Sequence, residues 1–299
     1  MKLATTTGDF RKYTTNQLDS LSLIREAGFK YADYNFHLDY IRGDGVYSNN
    51  CESYFASVAQ RAENVGITLV QAHSPMGDPI DEDNDRFVDD TLRCVDACGA
   101  WGIQNLVVHS GYAEGLTKNE TLKQNKDFFL KILERAEKYG INILVENFNK
   151  MCYDHTFWID NATDLLALIK LVDHPLFHAV WDMGHANLQD MPQHEELAIL
   201  GREVKALHVQ DNGGEWDQHL MPFTGTLNMD SVMHGLMDIG YSGYFTFEVA
   251  DPFTVGDAKR RFPSDTRLLE TPLSLKNAWE RSLYELGKSV LSAYGVFEE

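Results

Sequence analysis

The sequence predicts an α/β protein that folds as a single-domain (β/α)8 TIM barrel over residues 1–299. The first observation is a set of eight short, mostly apolar runs of four to seven residues, spaced by about one βα unit. The second is that amphipathic helical stretches lie between the runs, so predicted strands and helices alternate along the chain. The third is that no low-complexity segment or Pro/Gly-rich linker divides the chain.

Each apolar run has the pattern of a strand that is buried on both faces of a parallel sheet, because it is nearly continuous. The runs begin near Leu3, Tyr31, Thr68, Asn105, Asn142, His178, Ala206 and Tyr244. In chain order they are LATTT, the ends of EAGFKYADYNF, NVGITLVQAH, AWGIQNLVVH and KYGINILVENF, then HAVWDM, ALHVQ and the end of DIGYSGYFTFEV.

Helix signals fill the intervals between the runs. Glycines that fit helix C-caps precede five of the runs, at Gly28, Gly66, Gly102, Gly140 and Gly240. Between Asn119 and Tyr139, Phe129, Ile132 and Leu133 share one helical face, and the lysines lie elsewhere. A doubly wound sheet usually shows a glycine-rich phosphate fingerprint after its first strand, where this chain reads TTTGDF. The closed barrel is therefore favoured.

The composition favours a globular protein with a small-molecule partner. The chain has 26 Lys and Arg against 45 Asp and Glu, a formal net charge of −19, which weakens association with nucleic acids and anionic membranes. Hydrophobic residues at 43% can build a large core. No apolar run reaches the roughly 18 residues of a membrane span, and MKLATTTGDF lacks a signal-peptide stretch. The four cysteines form no CxxC pair. We expect a cytoplasmic protein with no nucleic-acid or membrane partner, and a homo-oligomer is compatible with the sequence.

Residues of metal-binding types stand at the ends of six predicted strands, where the active sites of barrels are built. They are His73, His109, Glu146, Asp182, His185, His208 and Glu248. Buried carboxylates that face one another across a barrel mouth repel, and a divalent cation removes that repulsion. Any one of these residues alone could be a hydrogen-bonded core residue. Their recurrence at strand after strand favours a metal site.

Several segments resemble the xylose-isomerase-like TIM barrels, which include sugar isomerases, ketose 3-epimerases, inosose dehydratases and the endonuclease IV group, or AP endonuclease family 2. The most specific segments are VENF, WDMGHANL, LHVQDN, PFTGTLNMD and FTFEV. The resemblance to the epimerase branch implies one divalent metal, Mn, Mg, Co or Zn, held by Glu146, Asp182, His208 and Glu248. The endonuclease IV branch binds three zinc ions with five further ligands, which His73, His109, His185, Asp217 and His219 match.

The resemblance implies a metal-dependent sugar or keto-sugar isomerase or epimerase that abstracts a proton through a metal-stabilised enediolate. Glu146 and Glu248 resemble the paired acid/base groups of that reaction, one taking the proton and the other returning it from the opposite face. The expected substrate contacts are His185, Asn147, His109 and His73, with Asn147 alternatively orienting Glu146. A lyase or dehydratase that acts on a keto-sugar shares the early proton abstraction and stays open.

A zinc phosphodiesterase of the endonuclease IV type is the second interpretation, and charge weighs against it. The long segment after the last strand, residues 251–271, contains Lys259, Arg260, Arg261 and Arg267 but also Asp251, Asp257, Asp265 and Glu270. Such a balanced segment is no basic patch for DNA. Arg260 and Arg261 could still meet a substrate phosphate. A third interpretation, a barrel that binds carbohydrate without turnover, loses support because Glu146 and Glu248 are both present.

Overall fold

The computed structural model describes residues 1–80, 84–148, 159–189, 191–250, 252 and 272–299. Its strands are β1 (Lys2–Thr6), β2 (Tyr31–Asn35), β3 (Thr68–His73), β4 (Asn105–Val108), β5 (Asn142–Glu146), β6 (Phe177–Asp182), β7 (Val204–His208) and β8 (Tyr244–Phe247). Its α-helices are α1 (Gln17–Ala27), α2 (Phe36–Arg42), α3 (Cys51–Val65), α4 (Asn84–Trp101), α5 (Lys118–Ala136), α6 (Ala162–Val172), α7 (Met183–Asn187), α8 (Gln193–Leu200), α9 (Met229–Asp238) and α10 (Leu273–Ala293). In this part of the chain no helix is both long and apolar enough to cross a membrane.

The strands form one parallel sheet that closes on itself. Their order is β7-β6-β5-β4-β3-β2-β1-β8. The last gap closes just beyond β7, where the Val209 amide donates to the Thr246 carbonyl at 2.8 Å and the Val209 carbonyl accepts from the Glu248 amide at 3.1 Å. Strands β7 and β8 thereby meet, and the predicted (β/α)8 barrel is confirmed.

The predicted strands match the observed ones, with small differences at three starts. Strands β1, β6 and β7 begin at Lys2, Phe177 and Val204, one or two residues before the predicted positions. For β7 the reason is Lys205, a charged residue that interrupts the apolar run, although Val204 pairs with Ala179 in the sheet. The predicted C-cap glycines all have positive φ, from 67° at Gly140 to 122° at Gly28.

An apolar layer fills the barrel below the C-terminal ends of four adjacent strands. It consists of Val107, Leu144, Val180 and Ala206, which are all buried. Side chains alternate across a strand, so the residue two positions further along faces the barrel interior as well. Those residues are His109, Glu146, Asp182 and His208. The packing of the barrel core therefore sets which polar side chains reach its mouth.

Candidate metal centre

Four side chains from β5 to β8 converge at the barrel mouth. Glu146, Asp182, His208 and Glu248 each offer one ligand atom, and these atoms all lie within 4.8 Å of one another. His208 is at the centre, with its Nδ1 atom 3.0 Å from Glu146 Oε1 and 3.3 Å from Glu248 Oε2. The structure brings together the metal ligands that the sequence predicts, and their spacing suits a shared cation.

Asp182 provides a test of whether this group fits a cation. Its Oδ1 atom caps helix α7 by accepting from the His185 amide at 2.7 Å, and it also accepts from Gln210 Nε2 at 3.2 Å. Its Oδ2 atom is buried and has no hydrogen-bond partner among the described residues. A buried carboxylate oxygen without a donor is costly. This oxygen lies 3.9 Å from His208 Nδ1, within the group of possible ligands, so its lack of a donor fits a site that would hold a divalent cation.

The electrostatics of the group depend on Glu146. Burial would raise the pKa of this carboxyl, but the positive field of His208 and hydrogen bonds from His109, His185 and His208 hold it well below its usual range. Burial opposes protonation of His208, yet Glu248 and Glu146 outweigh it and raise the pKa of His208 to about 10. The clustered carboxylates are thus stabilised by positive charge among them, which protonated histidines or a divalent cation can supply.

Two predicted site histidines, His73 and His109, cover Glu146 from the side of β3 and β4. His109 Nε2 is 3.0 Å from Glu146 Oε2, and His73 Nε2 is 3.4 Å from the same oxygen. His73, Glu146 and His208 form a second set of atoms close enough to share an ion. His73 Nδ1 donates to the Ser74 carbonyl at 2.8 Å, which leaves Nε2 to face the site.

The remaining predicted ligands form a separate group beside the first one. His185 Nε2 and His219 Nε2 each lie 3.3 Å from an oxygen of Asp217. His219 Nδ1 donates to the Glu248 carbonyl at 2.8 Å, which orients the ring toward Asp217. His219 adopts φ of 49°, a left-handed conformation that a residue with a Cβ atom seldom takes. This group could also hold an ion.

The loop that carries Asp217 and His219 is anchored by Asp211. The Asp211 carboxylate accepts hydrogen bonds from the Gly225 and Leu227 amides, each at 2.9 Å. A Cβ atom at Gly225 would lie 2.4 Å from Asp211 Oδ1, so the loop requires glycine there. These hydrogen bonds hold the segment PFTGTL against Asp211 and so fix the end of the loop that carries Asp217 and His219.

Asn147 has a structural position that the sequence does not reveal. Its Nδ2 atom donates to the Asp182 carbonyl at 2.9 Å, and its Oδ1 atom accepts from the Asp182 amide at 2.8 Å. The Asn147 backbone carbonyl accepts from His185 Nδ1 at 2.9 Å. The side chain is fully buried, so these bonds join β5 to β6 rather than reaching into the cavity. Asn147 positions Asp182 and His185, two residues of the site.

Asp33, in the middle of β2, borders the site, although the sequence pattern does not predict it as a site residue. Its Oδ2 atom lies 3.9 Å from His208 Nε2, on the ring edge that faces away from Glu146. Neither oxygen of this buried carboxyl has a hydrogen-bond partner among the described residues. Burial raises the pKa of Asp33 to about 6, against the opposing field of His208. The one sequence feature that indicates its role is a charged residue inside the buried strand YADYN.

A cavity of about 240 Å³ lies over these groups. Its lining includes Asn35, His37, His73, Met76, His109, Glu146, Phe148, His185, Asp217, His219 and Glu248. Both predicted acid/base carboxylates and three of the four predicted substrate contacts therefore border one space. His37 and Met76, from the segments after β2 and β3, are additional wall residues. Arg260 and Arg261, considered as phosphate contacts, lie outside the described residues.

Gly184→Ala is expected to disturb the site through Gln210. A Cβ atom at Gly184 would lie 2.0 Å from Gln210 Cδ, and Gln210 Nε2 donates to both Asp182 Oδ1 and Asp217 Oδ1. When the Gln210 amide is displaced, Asp182 and Asp217 each lose a hydrogen-bond donor. We expect a loss of about 1–3 kcal/mol in the free energy of unfolding, measured by urea denaturation.

The matched control is the double variant Gly184→Ala with Gln210→Ala. Removing the Gln210 side chain removes the clash, so the double variant should lose less stability than the sum of the two single losses. Strict additivity would contradict the contact-based explanation.

The fold and this group of side chains define a class, the (β/α)8 barrels that carry clustered carboxylate and imidazole groups at the C-terminal ends of their strands. The chain belongs to the xylose isomerase-like TIM barrel family, whose model matches residues 21–271. This confirms the resemblance drawn from the sequence motifs.

Three similar proteins illustrate the family. Uncharacterized protein MJ1311 from Methanocaldococcus jannaschii is 32% identical over 232 residues, which cover 73% of this chain and 76% of that protein. Fructoselysine 3-epimerase from Escherichia coli O157:H7 is 29% identical over 119 residues, 40% of this chain and 42% of that protein. D-psicose 3-epimerase from Clostridium cellulolyticum H10, solved with D-tagatose, superposes with a TM-score of 0.75 at 15% identity, over 97% of this chain and 99% of that one. The last likeness concerns the fold.

Proposed function

We propose that this protein is a divalent-metal-dependent isomerase or epimerase of a sugar or keto-sugar. The observation that carries the proposal is the pair Glu146 and Glu248, which line one cavity and both lie within 3.3 Å of His208 Nδ1. The names of two similar proteins, fructoselysine 3-epimerase and D-psicose 3-epimerase, support a sugar substrate. The predicted lyase or dehydratase shares the first chemical step and differs in the later ones.

Inversion at a carbon needs a base on one face and an acid on the other. Burial would raise the pKa of Glu248, but His208 and His219 lower it, so Glu248 and Glu146 are both carboxylates near neutral pH. One carboxylate takes the C–H proton, and the electron pair of that bond moves to the adjacent carbonyl oxygen. A proton then returns to the carbon from the opposite face through the second carboxyl group.

The remaining side chains have supporting roles in this proposal. Glu146, Asp182, His208 and Glu248 would hold the cation, which supplies Lewis acidity toward neighbouring carbonyl and hydroxyl oxygens when bound. Their oxygen and imidazole donors are compatible with Mn²⁺, Mg²⁺, Co²⁺ or Zn²⁺. His73, His109 and His185 border the cavity and would donate to or accept from substrate hydroxyls.

A zinc phosphodiesterase is the second candidate, and the further ligand groups favour it. His185, Asp217 and His219 form one additional group, and His73 with Glu146 and His208 forms another, as three ions would require. The net charge of −19 opposes a polyanionic substrate. We therefore place the sugar reaction first.

The experiment that tests the proposal is solvent-deuterium incorporation into a panel of ketoses, with the metal content of the purified protein measured alongside. We expect a deuterium atom at a carbon next to the carbonyl, and about one Mn, Mg or Co ion per chain. Exchange that yields neither a new epimer nor an isomeric sugar would favour the dehydratase. Absence of exchange from every ketose with metal present, together with three zinc ions per chain, would favour the phosphodiesterase.

A further inference from the structure

A second cavity adjoins the candidate metal centre on the side of β1. It measures about 220 Å³ and shares Asn35, His219 and Glu248 with the cavity over the metal ligands, so the two are lobes of one cleft. Cavities that bind small ligands commonly measure about 300–1,000 Å³. The two lobes together fall within that range, so the cleft has room for a substrate that extends beyond the reacting carbons.

The wall of this outer lobe carries two adjacent cations, Arg11 and Lys12, from the segment that follows β1. Both side chains are exposed, and neither has an ion-pair partner among the described residues. The chain has only 26 cationic residues against 45 acidic ones, so two adjacent cations at the rim of the cleft differ from its average surface.

The described acidic residues that border the outer lobe, Asp9 and Glu248, do not neutralise Arg11 and Lys12. Asp9 is buried and accepts from Thr5 Oγ1 at 2.6 Å, and burial together with the charge of Glu280 raises the pKa of Asp9 well above its usual range. Glu280 is paired with Lys276 at 2.7 Å. The other bordering carboxylate, Glu248, is a member of the metal-ligand group. Of the charged residues that the structure describes around this lobe, Arg11 and Lys12 are therefore the main source of the local field.

We propose that the outer lobe binds an acidic group on the substrate, so that the substrate is a keto-sugar derivative carrying a phosphate or a carboxylate. This inference rests on the proposed function for the reacting end of the molecule. The guanidinium fork of Arg11 matches two oxygens of either anion, and the Lys12 ammonium adds a second positive charge. The shared residues Asn35 and His219 then lie between the acidic group and the reacting carbons.

The experiment compares the wild-type protein with the double variant Arg11→Gln, Lys12→Gln on three probes: D-fructose, D-fructose 6-phosphate and N-(1-deoxyfructosyl)glycine. Deuterium exchange gives kcat/KM for each probe, and calorimetry gives the dissociation constant of each probe for the metal-free protein. We expect the wild-type preference for at least one anionic probe over D-fructose to fall tenfold or more in the variant, mainly through KM. The anionic probe for which the variant loses its preference over D-fructose shows whether the lobe binds a phosphate or a carboxylate.

The matched control is Lys170→Gln, Arg202→Gln, which removes the same charge from exposed residues at the opposite end of the barrel. It should retain the wild-type preference, and thermal unfolding checks that both variants fold. Equal treatment of neutral and anionic probes by the wild type, or an unchanged preference in the Arg11 and Lys12 variant, would overturn the inference while exchange persists. If no probe exchanges in any protein, the proposed function fails, and the dissociation constants still decide whether the lobe binds anions.

Discussion

Replacing Glu146 by glutamine is expected to abolish proton exchange while leaving the protein folded. The substitution removes the buried carboxylate that faces His109 and His208 at 3.0 Å and borders the cavity. Loss of an acid/base group alone lowers rates by about 10²–10⁴-fold, and loss of a metal ligand adds to that effect. The measurement is deuterium exchange into the best ketose of the panel, with circular dichroism and thermal unfolding on the same samples.

A matched control is Glu203→Gln. Glu203 Oε2 lies 2.6 Å from His178 Nδ1, so this variant also breaks a glutamate–histidine pair, but at the N-terminal ends of β6 and β7. Exchange should stay within about twofold of the wild type. An unfolded Glu146→Gln protein would show that Glu146 is structural, and full exchange in a folded one would exclude it as an acid/base group.

Removing divalent metal is expected to have an effect of similar size. After chelator treatment and dialysis, exchange should fall to the background rate and return when about one equivalent of Mn²⁺, Mg²⁺ or Co²⁺ per chain is added. Binding to the folded state alone also stabilises the protein, by about 2.7 kcal/mol when the free metal is 100 times its dissociation constant. Thermal unfolding with and without metal measures that gain independently of turnover.

Two carboxylate variants separate the ligand groups. Asp182→Asn changes the buried carboxylate that has one oxygen without a donor among the described residues, and we expect metal affinity, measured by calorimetry, to fall by roughly 100-fold or more. Asp217→Asn alters the neighbouring group and should leave a stoichiometry of one metal per chain. Exchange that survives complete chelation would contradict metal dependence, and three zinc ions bound to the wild type would return the phosphodiesterase to first place.

The barrel could be predicted from the sequence because each element carries a local signal. Strands buried on both faces appear as continuous apolar runs, and glycines such as Gly66 and Gly102 occupy positive φ at helix ends, where other residues are strained. The limits of prediction come from the same physics. Lys205 breaks the apolar pattern of β7 because the charge of a half-buried lysine can reach water while its stem packs.

The sequence predicts the site residues that stand at the ends of strands. It does not predict the residues that lie in mid-strand or that hold other site residues in place. His208 and Asp182 stand at the ends of strands, so the topology alone brings them together. Asp33 lies in mid-strand, and it comes within 3.9 Å of His208 only because the closed barrel brings β2 and β7, which are not neighbours in the sheet, to the same interior. Asn147 comes directly after Glu146, and only the three-dimensional structure shows that its amide is bonded to the backbone of Asp182.

The layer of Val107, Leu144, Val180 and Ala206 has a consequence for how such a protein can diverge. A slip of one residue in any of these strands would turn its polar end residue toward the helices, so selection for folding also preserves the chemistry. The segment after β1 with Arg11 and Lys12 is free of that constraint. Descendants of one barrel can thus acquire new substrates by rewriting loops while the reacting groups are inherited unchanged.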